Sequence, residues 1–257
     1  MGSMGSVARQ KKILELVRQT ENISVATLVD GIDASAATVR RDLVQLEEAG
    51  KVLRVHGAVL DRRSLEGEPS FSVKRQRIPE VKRRIGRAVL DAIPSGASVF
   101  IDAGSTCLEA GLALLERGGH VVYTNSLPLL YNAGNFSSPV ISIGGEARAI
   151  SGALVGGLAQ EWLRHLRFDF ALIGASALDA SSGVMTTELS EAGVKRLAIE
   201  RARIAILAAD SLKLDEVASV QFAEWSDFRM WFTDKELPMQ RRKTLRQHQG
   251  LSIIQID

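Results

Sequence analysis

Two groups of residues in this sequence carry chemistry at defined spacings. The first is Ser35-Ala36-Ala37-Thr38-Val39-Arg40-Arg41, in which a serine able to cap a helix precedes small residues and a pair of guanidinium groups. Arginine forks onto guanine O6 and N7 or clamps a phosphate, and small residues let a helix approach base edges closely. The free N–H groups at the Ser35 end favour a phosphate as well. The second group is a series of short polar turns. They are Asp102-Ala103-Gly104-Ser105-Thr106, Thr124-Asn125-Ser126, Gly144-Gly145 with Arg148, Gly174-Ala175-Ser176, and Asp210-Ser211-Leu212-Lys213. Gly104 permits a sharp turn, and the Ser105 and Thr106 hydroxyls beside helix N–H groups can surround an oxyanion. One such turn is an ordinary helix cap. Five of them at successive strand ends would converge on one rim.

The elements that must position the first group are short. Apolar Ile13, Leu14, Leu16 and Val17 make one buried stripe on a helix from Arg9 to Thr20. Ser24 caps a helix from Val25 to Val29, and Gly31-Ile32-Asp33 makes a turn, with Gly31 expected at positive φ. Ser35 caps the next helix, which runs from Ala36 to about Ala49. It turns Val39, Leu43 and Leu46 inward and leaves Ala36, Ala37, Thr38, Arg40, Arg41 and Gln45 on its other faces. Two short helices joined by a tight turn, the second capped and basic, spell helix-turn-helix. Lys51 to Val59 then gives strand, turn and strand, a wing from which Arg54 and His56 would project toward a nucleic-acid backbone or minor groove. A three-helix protein-interaction module with a solvated Arg40-Arg41 pair fits the same pattern.

Asp61 to Ser72 is polar and turn-rich, and a helix from Pro79 to about Ile93 follows. Beyond it, apolar runs of strand length alternate with helical stretches. The runs are Ser98–Ile101, His120–Tyr123, Val140–Ile143, Phe168–Ile173, Arg203–Leu207, Arg229–Phe232 and Leu251–Ile254. Continuous apolar strands between helices predict a mainly parallel sheet covered on both faces, with any ligand outside the carboxyl ends of its strands. The expected organisation is a winged helix-turn-helix at 7–60, a linker at 61–78 and a larger α/β domain at 79–257.

Composition agrees with two domains. The chain has 257 residues, 46% of them hydrophobic and 24% charged, and a net charge of +2. That charge is unevenly spread: residues 1–90 hold 17 Lys/Arg against 11 Asp/Glu, a net of +6, while the remainder holds 15 against 19, a net of −4. A basic front on an acidic body suits a polyanion-binding module, and equally a solvated helix face and linker. No apolar run of membrane-spanning length occurs, so no membrane role is expected. Met1 to Ser6 has neither a basic nor an apolar signal region and is set aside as an expression remnant. One cysteine, Cys107, fits a reducing, cytoplasmic compartment. His56, His120, His165 and His248 lie far apart without ligand-type spacing, so no metal and no cofactor are expected.

Taken together, Ser35-x-x-Thr38-Val-Arg40-Arg41-Asp42-Leu43, Leu46-Glu47, Gly50 and Arg54-Val-His56-Gly57-Ala58 resemble the signature of the DeoR/GlpR family of bacterial catabolic regulators. The sequence carries one glycine after His56 where the family usually has two. Asp102 to Thr106, Thr124 to Ser126, Gly144-Gly145, Gly152, Glu188 with Lys195, Asp210-x-x-Lys213 and Thr233-Asp234 are similar to that family's sensor domain, whose fold is like ribose-5-phosphate isomerase. The resemblance implies operator DNA as one partner and a phosphorylated sugar or sugar derivative as the effector. It implies that Ser105 and Thr106 hold the phosphate, with Asp102, Asn125, Arg148, Glu188, Lys195 and Lys213 as candidates for hydroxyl or charge recognition. It further implies repression of a sugar-catabolism operon by a homodimer or homotetramer. The alternative, a sugar-phosphate isomerase with an accessory DNA-binding arm, lacks the lysine-glycine run expected after Gly174.

Overall fold

The computed structural model describes residues 5–20, 22–49, 51–55, 58–61, 68–245, 247–248 and 250–256. The chain divides between Pro69 and Ser70 into two units.

The first unit contains α1 (Ser6–Thr20), β1 (Asn22–Ser24), α2 (Val25–Gly31), α3 (Ala36–Glu48), β2 (Val52–Val55) and β3 (Ala58–Asp61). Its core joins Ile13 and Val17 of α1, Leu28 of α2, and Val39, Leu43 and Leu46 of α3 with Ile23, Ile32, Val52 and Val59. The strands pair antiparallel in the order β1-β3-β2. Ser24 and Ser35 both cap as expected, accepting from the Thr27 and Thr38 amides at 3.0 and 3.2 Å. Two expectations need correction. Gly31 is not at positive φ: α2 runs through it, and the extended Ile32 ends the helix by donating its N–H to the Val29 carbonyl at 3.4 Å. The first helix starts at Ser6 rather than Arg9, and the Ser6 hydroxyl donates to Asp42 at 3.3 Å. His56 and Gly57, the expected wing tip, lie outside the described residues.

The second unit opens with α4 (Phe71–Gln76) and α5 (Pro79–Val89). It continues through β4 (Ser98–Ile101), α6 (Ser105–Arg117), β5 (Val121–Thr124), α7 (Leu127–Asn132), β6 (Val140–Ser142), β7 (Glu146–Arg148), β8 (Ala153–Val155) and α8 (Gly157–His165). Then come β9 (Phe168–Ile173), β10 (Ala177–Asp179), β11 (Gly183–Thr186), α9 (Leu189–Glu200), β12 (Ala202–Ala208), β13 (Val220–Ala223), β14 (Met230–Asp234), α10 (Met239–Leu245) and β15 (Ser252–Ile256). All seven expected strands join one parallel sheet, in the order β15-β14-β12-β9-β4-β5-β6. Side chains alternate across it. Val99 and Ile101 pack with Ile85 and Val89 of α5 and Leu108 of α6, whereas Phe100 packs with Leu163 of α8 and Val194 of α9. Gly86 lets α5 lie directly on α6, because a Cβ there would come within 2.6 Å of the Ala110 nitrogen.

The expected linker at 61–78 is shorter than its composition suggests. Residues 62–67 lie outside the described residues, and Ser70 onward belongs to the second unit. Ser70 caps α4, and the Phe71 amide donates to the Ile150 carbonyl at 2.7 Å. Those bonds tie a charged, polar stretch to the body of its unit.

Candidate DNA-reading helix and anion pocket

In the first unit, the arginine pair and the apolar stripe of α3 fall on different faces. Arg40 and Arg41 are exposed, as are Ser35 and Ala37, while Ala36 and Thr38 are half-buried. Behind them Val39, Leu43 and Leu46 are fully packed. Asp42 stands next to the pair yet turns inward, where it accepts from the Arg9 side chain. That pairing removes the one carboxylate able to neutralise Arg40 and Arg41 from within their own turn. The Ser35 and Thr38 hydroxyls lie 2.8 Å apart, and Ser35 is engaged in the cap. Arg54 does not simply project from the wing: its amide donates to Glu47 of α3 at 3.2 Å, and its guanidinium lies 3.8 Å from the same carboxylate.

In the second unit a cleft opens at the carboxyl ends of the central strands. Ala103, Gly104, Ser105 and Thr106 follow β4, Gly174, Ala175 and Ser176 follow β9, and Ala208 ends β12, with Ala209 and Lys213 beyond. Glu191 and Lys195 of α9, Ser151, and Phe71 and Lys74 of α4 complete the lining. The first-turn amides of α6 have no intrahelical acceptor, so its N-terminus presents partial positive charge beside the Ser105 and Thr106 hydroxyls. Beneath them Asp102, 1% exposed, accepts from the Gly174 amide at 3.0 Å and from Lys195. Lys195 also donates to the Gly174 carbonyl at 3.1 Å. Burial alone would strip Lys195 of its proton, but the facing Asp102 and Glu191 carboxylates hold its pKa above the ordinary lysine value. Glu191 is itself buried, taking the Arg148 guanidinium at 2.9 Å and the Thr186 hydroxyl at 3.3 Å. The Ser151 hydroxyl is buried on the lining without a hydrogen-bond partner. Three lysines, two hydroxyls at a helix start and one orphaned hydroxyl suit a small polyhydroxylated anion.

The family model of the DeoR-like helix-turn-helix domain matches residues 9–62, and that of the DeoR C-terminal sensor domain matches residues 78–235. The chain belongs to the DeoR family. It is similar to the HTH-type transcriptional regulator GlpR of Haloferax volcanii, at 32% identity over 96% of each chain. It also resembles the glycerol-3-phosphate regulon repressors of Escherichia coli, 31% identical over 95% of this chain and 97% of that one, and of Haemophilus influenzae, 34% identical over 88% of each. Among solved structures, ribose 5-phosphate isomerase A from Neisseria gonorrhoeae matches at 15% identity over 55% of each chain, with a TM-score of 0.40. The DeoR-family chain is a transcriptional regulator and not an enzyme, which sets aside the isomerase alternative.

In this DeoR-family pocket the sequence-derived candidates separate into two sets. Gly104, Ser105, Thr106, Lys195 and Lys213 line the cleft, with Asp102 directly behind. Thr124, Asn125 and Ser126 are buried framework instead. The Thr124 hydroxyl donates to the Ile101 carbonyl at 2.6 Å, the Asn125 side-chain oxygen accepts from the Ala103 amide at 2.8 Å, and Ser126 caps α7. Gly144 and Gly145 build the turn into the β7–β8 hairpin, both at positive φ. A Cβ on Gly145 would lie 2.5 Å from the Val155 carbonyl oxygen. Glu188 caps α9, accepting from the amides of Ser190 and Glu191. Arg148 does not line the cleft but pairs with Glu191, which does. Gly104 is extended, at φ 177, so its turn does not require glycine.

Six lining residues went unnoticed in the sequence: Phe71, Lys74, Ser151, Glu191, Ala208 and Ala209. Glu191 had a usable signal, since it stands one helical turn before Lys195. Among the described residues no three His, Cys, Asp or Glu side chains are placed to hold a metal, and no helix is long and apolar enough to cross a membrane.

Proposed function

We propose that this regulator represses an operon for carbohydrate catabolism and that a phosphorylated sugar or sugar derivative, bound in the cleft of the second unit, relieves repression. The lining of the cleft carries this reading. The α6 N-terminus with Ser105 and Thr106 offers amides and hydroxyls to a phosphate, while Glu191 and Ser151 offer acceptor and donor to hydroxyl groups. The relatives named as glycerol-3-phosphate regulon repressors support a phosphate ester as the class of signal. Arg40 and Arg41, together with the α3 N-terminus, contact operator DNA, and Arg54 with His56 approach its backbone. The active species is a homodimer or homotetramer in the cytoplasm, because one short recognition helix buries too little to select a genomic site. Relief works by linkage: the effector lowers DNA affinity by as much as it prefers the unbound state, typically about 1–3 kcal/mol.

The test is a thermal-shift screen of the whole chain against a panel of phosphorylated sugars and polyols. A true effector at 100 times its Kd should add about 2.7 kcal/mol of stability and release the protein from DNA. Ser105→Ala with Thr106→Ala should abolish the shift and leave DNA binding intact. A panel in which no phosphate ester stabilises the protein would overturn the reading.

A further inference from the structure

We propose that Glu216 and the strained backbone at Ile78 form the device by which occupancy of the cleft moves α4, the segment that follows directly on the first unit. The inference rests on the cleft being an anion site. Ile78 links α4 to α5 with φ 45 and ψ 50, and it is the only non-glycine residue at positive φ among the described residues. Isoleucine is β-branched, and Pro79 follows it; both disfavour a left-handed conformation. Such a backbone persists only where its surroundings hold it.

The restraints can be named. Lys82 of α5, 4% exposed, donates its ammonium to the Lys74 carbonyl near the end of α4, and its amide donates to the Ile78 carbonyl at 3.2 Å. Arg77 pairs with Glu216 Oε1 at 2.6 Å. The other oxygen of that carboxylate, Oε2, accepts from Lys213 at 2.6 Å. Glu216 is therefore shared between the hinge and a residue of the cleft wall. Lys213 fixes the carboxylate where Arg77 can reach it, and Lys74 places α4 itself on the same wall.

An anion in the cleft competes with Glu216 for the Lys213 ammonium. Once Lys213 turns to the anion, Glu216 loses its anchor and is repelled by the new negative charge, so the hold on Arg77 weakens. Ile78 then relaxes toward the extended conformation usual before proline, and α4 changes direction. Glu216→Gln imitates this released state without any effector. Ile78→Gly removes the strain that drives it, since glycine takes a left-handed φ freely.

The experiment uses the full chain and its Glu216→Gln, Arg77→Gln, Ile78→Gly and Glu216→Gln/Ile78→Gly variants. Amide exchange at residues 71–78 and affinity for a duplex selected from a random library are measured without effector. Glu216→Gln and Arg77→Gln should each speed exchange there at least about 10-fold and weaken DNA binding by about 5- to 150-fold, the usual span of allosteric coupling. The double variant should recover wild-type affinity to within a few-fold. Wild-type exchange and affinity in both Glu216→Gln and Arg77→Gln, or a loss that Ile78→Gly does not restore, overturns the device. Titration of the wild-type chain with ribose 5-phosphate and inorganic phosphate separates the two readings. Phosphate binding alongside an inert Glu216→Gln sinks the device alone; absence of binding alongside an active Glu216→Gln sinks the anion-site reading and leaves the clamp.

Discussion

The Lys195 ammonium bridges the Asp102 carboxylate and the Gly174 carbonyl, so one side chain of α9 ties together the carboxyl ends of β4 and β9. Both charged partners are almost completely buried. Lys195→Met would leave Asp102 buried without its countercharge and should cost about 3–5 kcal/mol. Lys195→Met with Asp102→Asn should cost less than Lys195→Met alone, because the stranded charge is gone. Urea denaturation of wild type, Lys195→Met, Asp102→Asn and the double variant, read as a double-mutant cycle, checks this. Simple additivity would mean that the pair is not coupled.

Arg40→Ala and Arg41→Ala should each weaken DNA binding by about 1–3 kcal/mol without lowering the stability of the second unit. Their contact classes should also separate. A base contact relaxes sequence preference at one position, while a phosphate contact weakens all sequences alike and lowers the salt slope by about one. Salt titrations of binding to the preferred and scrambled duplexes provide the measurement. Unaltered affinity in both variants would remove α3 from the interface.

The parallel sheet was legible because its central strands are covered on both faces and so appear as apolar runs, as in Phe170–Ile173. The antiparallel pieces were not. The strands β7, β8, β10 and β11 have three or four residues each, too few to display a period, and β1 exists only through its pairing with β3. At the cleft, the loop after β4 was readable from its own glycine and hydroxyls. Ser151 and Lys74 arrive by a long-range crossing of the chain, anchored where the Phe71 amide meets the Ile150 carbonyl, and local spacing carries no trace of it.

Gly145 and Gly104 should respond differently to alanine. At Gly145, φ is 113 and a Cβ would meet the Val155 carbonyl oxygen at 2.5 Å. Gly145→Ala should therefore destabilise the protein by about 1–3 kcal/mol. At Gly104 the backbone is extended and a Cβ would find only the Cys107 sulfur, at 3.9 Å. Gly104→Ala should leave the melting temperature within a degree or two of wild type, roughly ±0.5 kcal/mol. Its methyl group would point its effect at the cleft, weakening effector binding instead. Equal melting losses in the two variants would contradict the geometry at one of them.

Lys82 should leave a signature in the pH dependence of stability. Burial lowers its pKa to about 8; the Asp210 carboxylate opposes that shift, and the Lys213 and Arg77 cations add to it. In the unfolded chain the group titrates near 10.4. Between these values the unfolded state binds one proton more than the folded state, so stability rises with pH across that window. Below about 8 both states carry the proton and the cost of burying the charge is fully present. Lys82→Met deletes the titration along with its bond to the Lys74 carbonyl. The difference in unfolding free energy between wild type and Lys82→Met should thus shift in favour of wild type by about 1–3 kcal/mol from pH 8 to 10.5. Denaturant titrations of both proteins at half-unit steps measure it. A difference that stays flat across the window would place the Lys82 ammonium in contact with solvent.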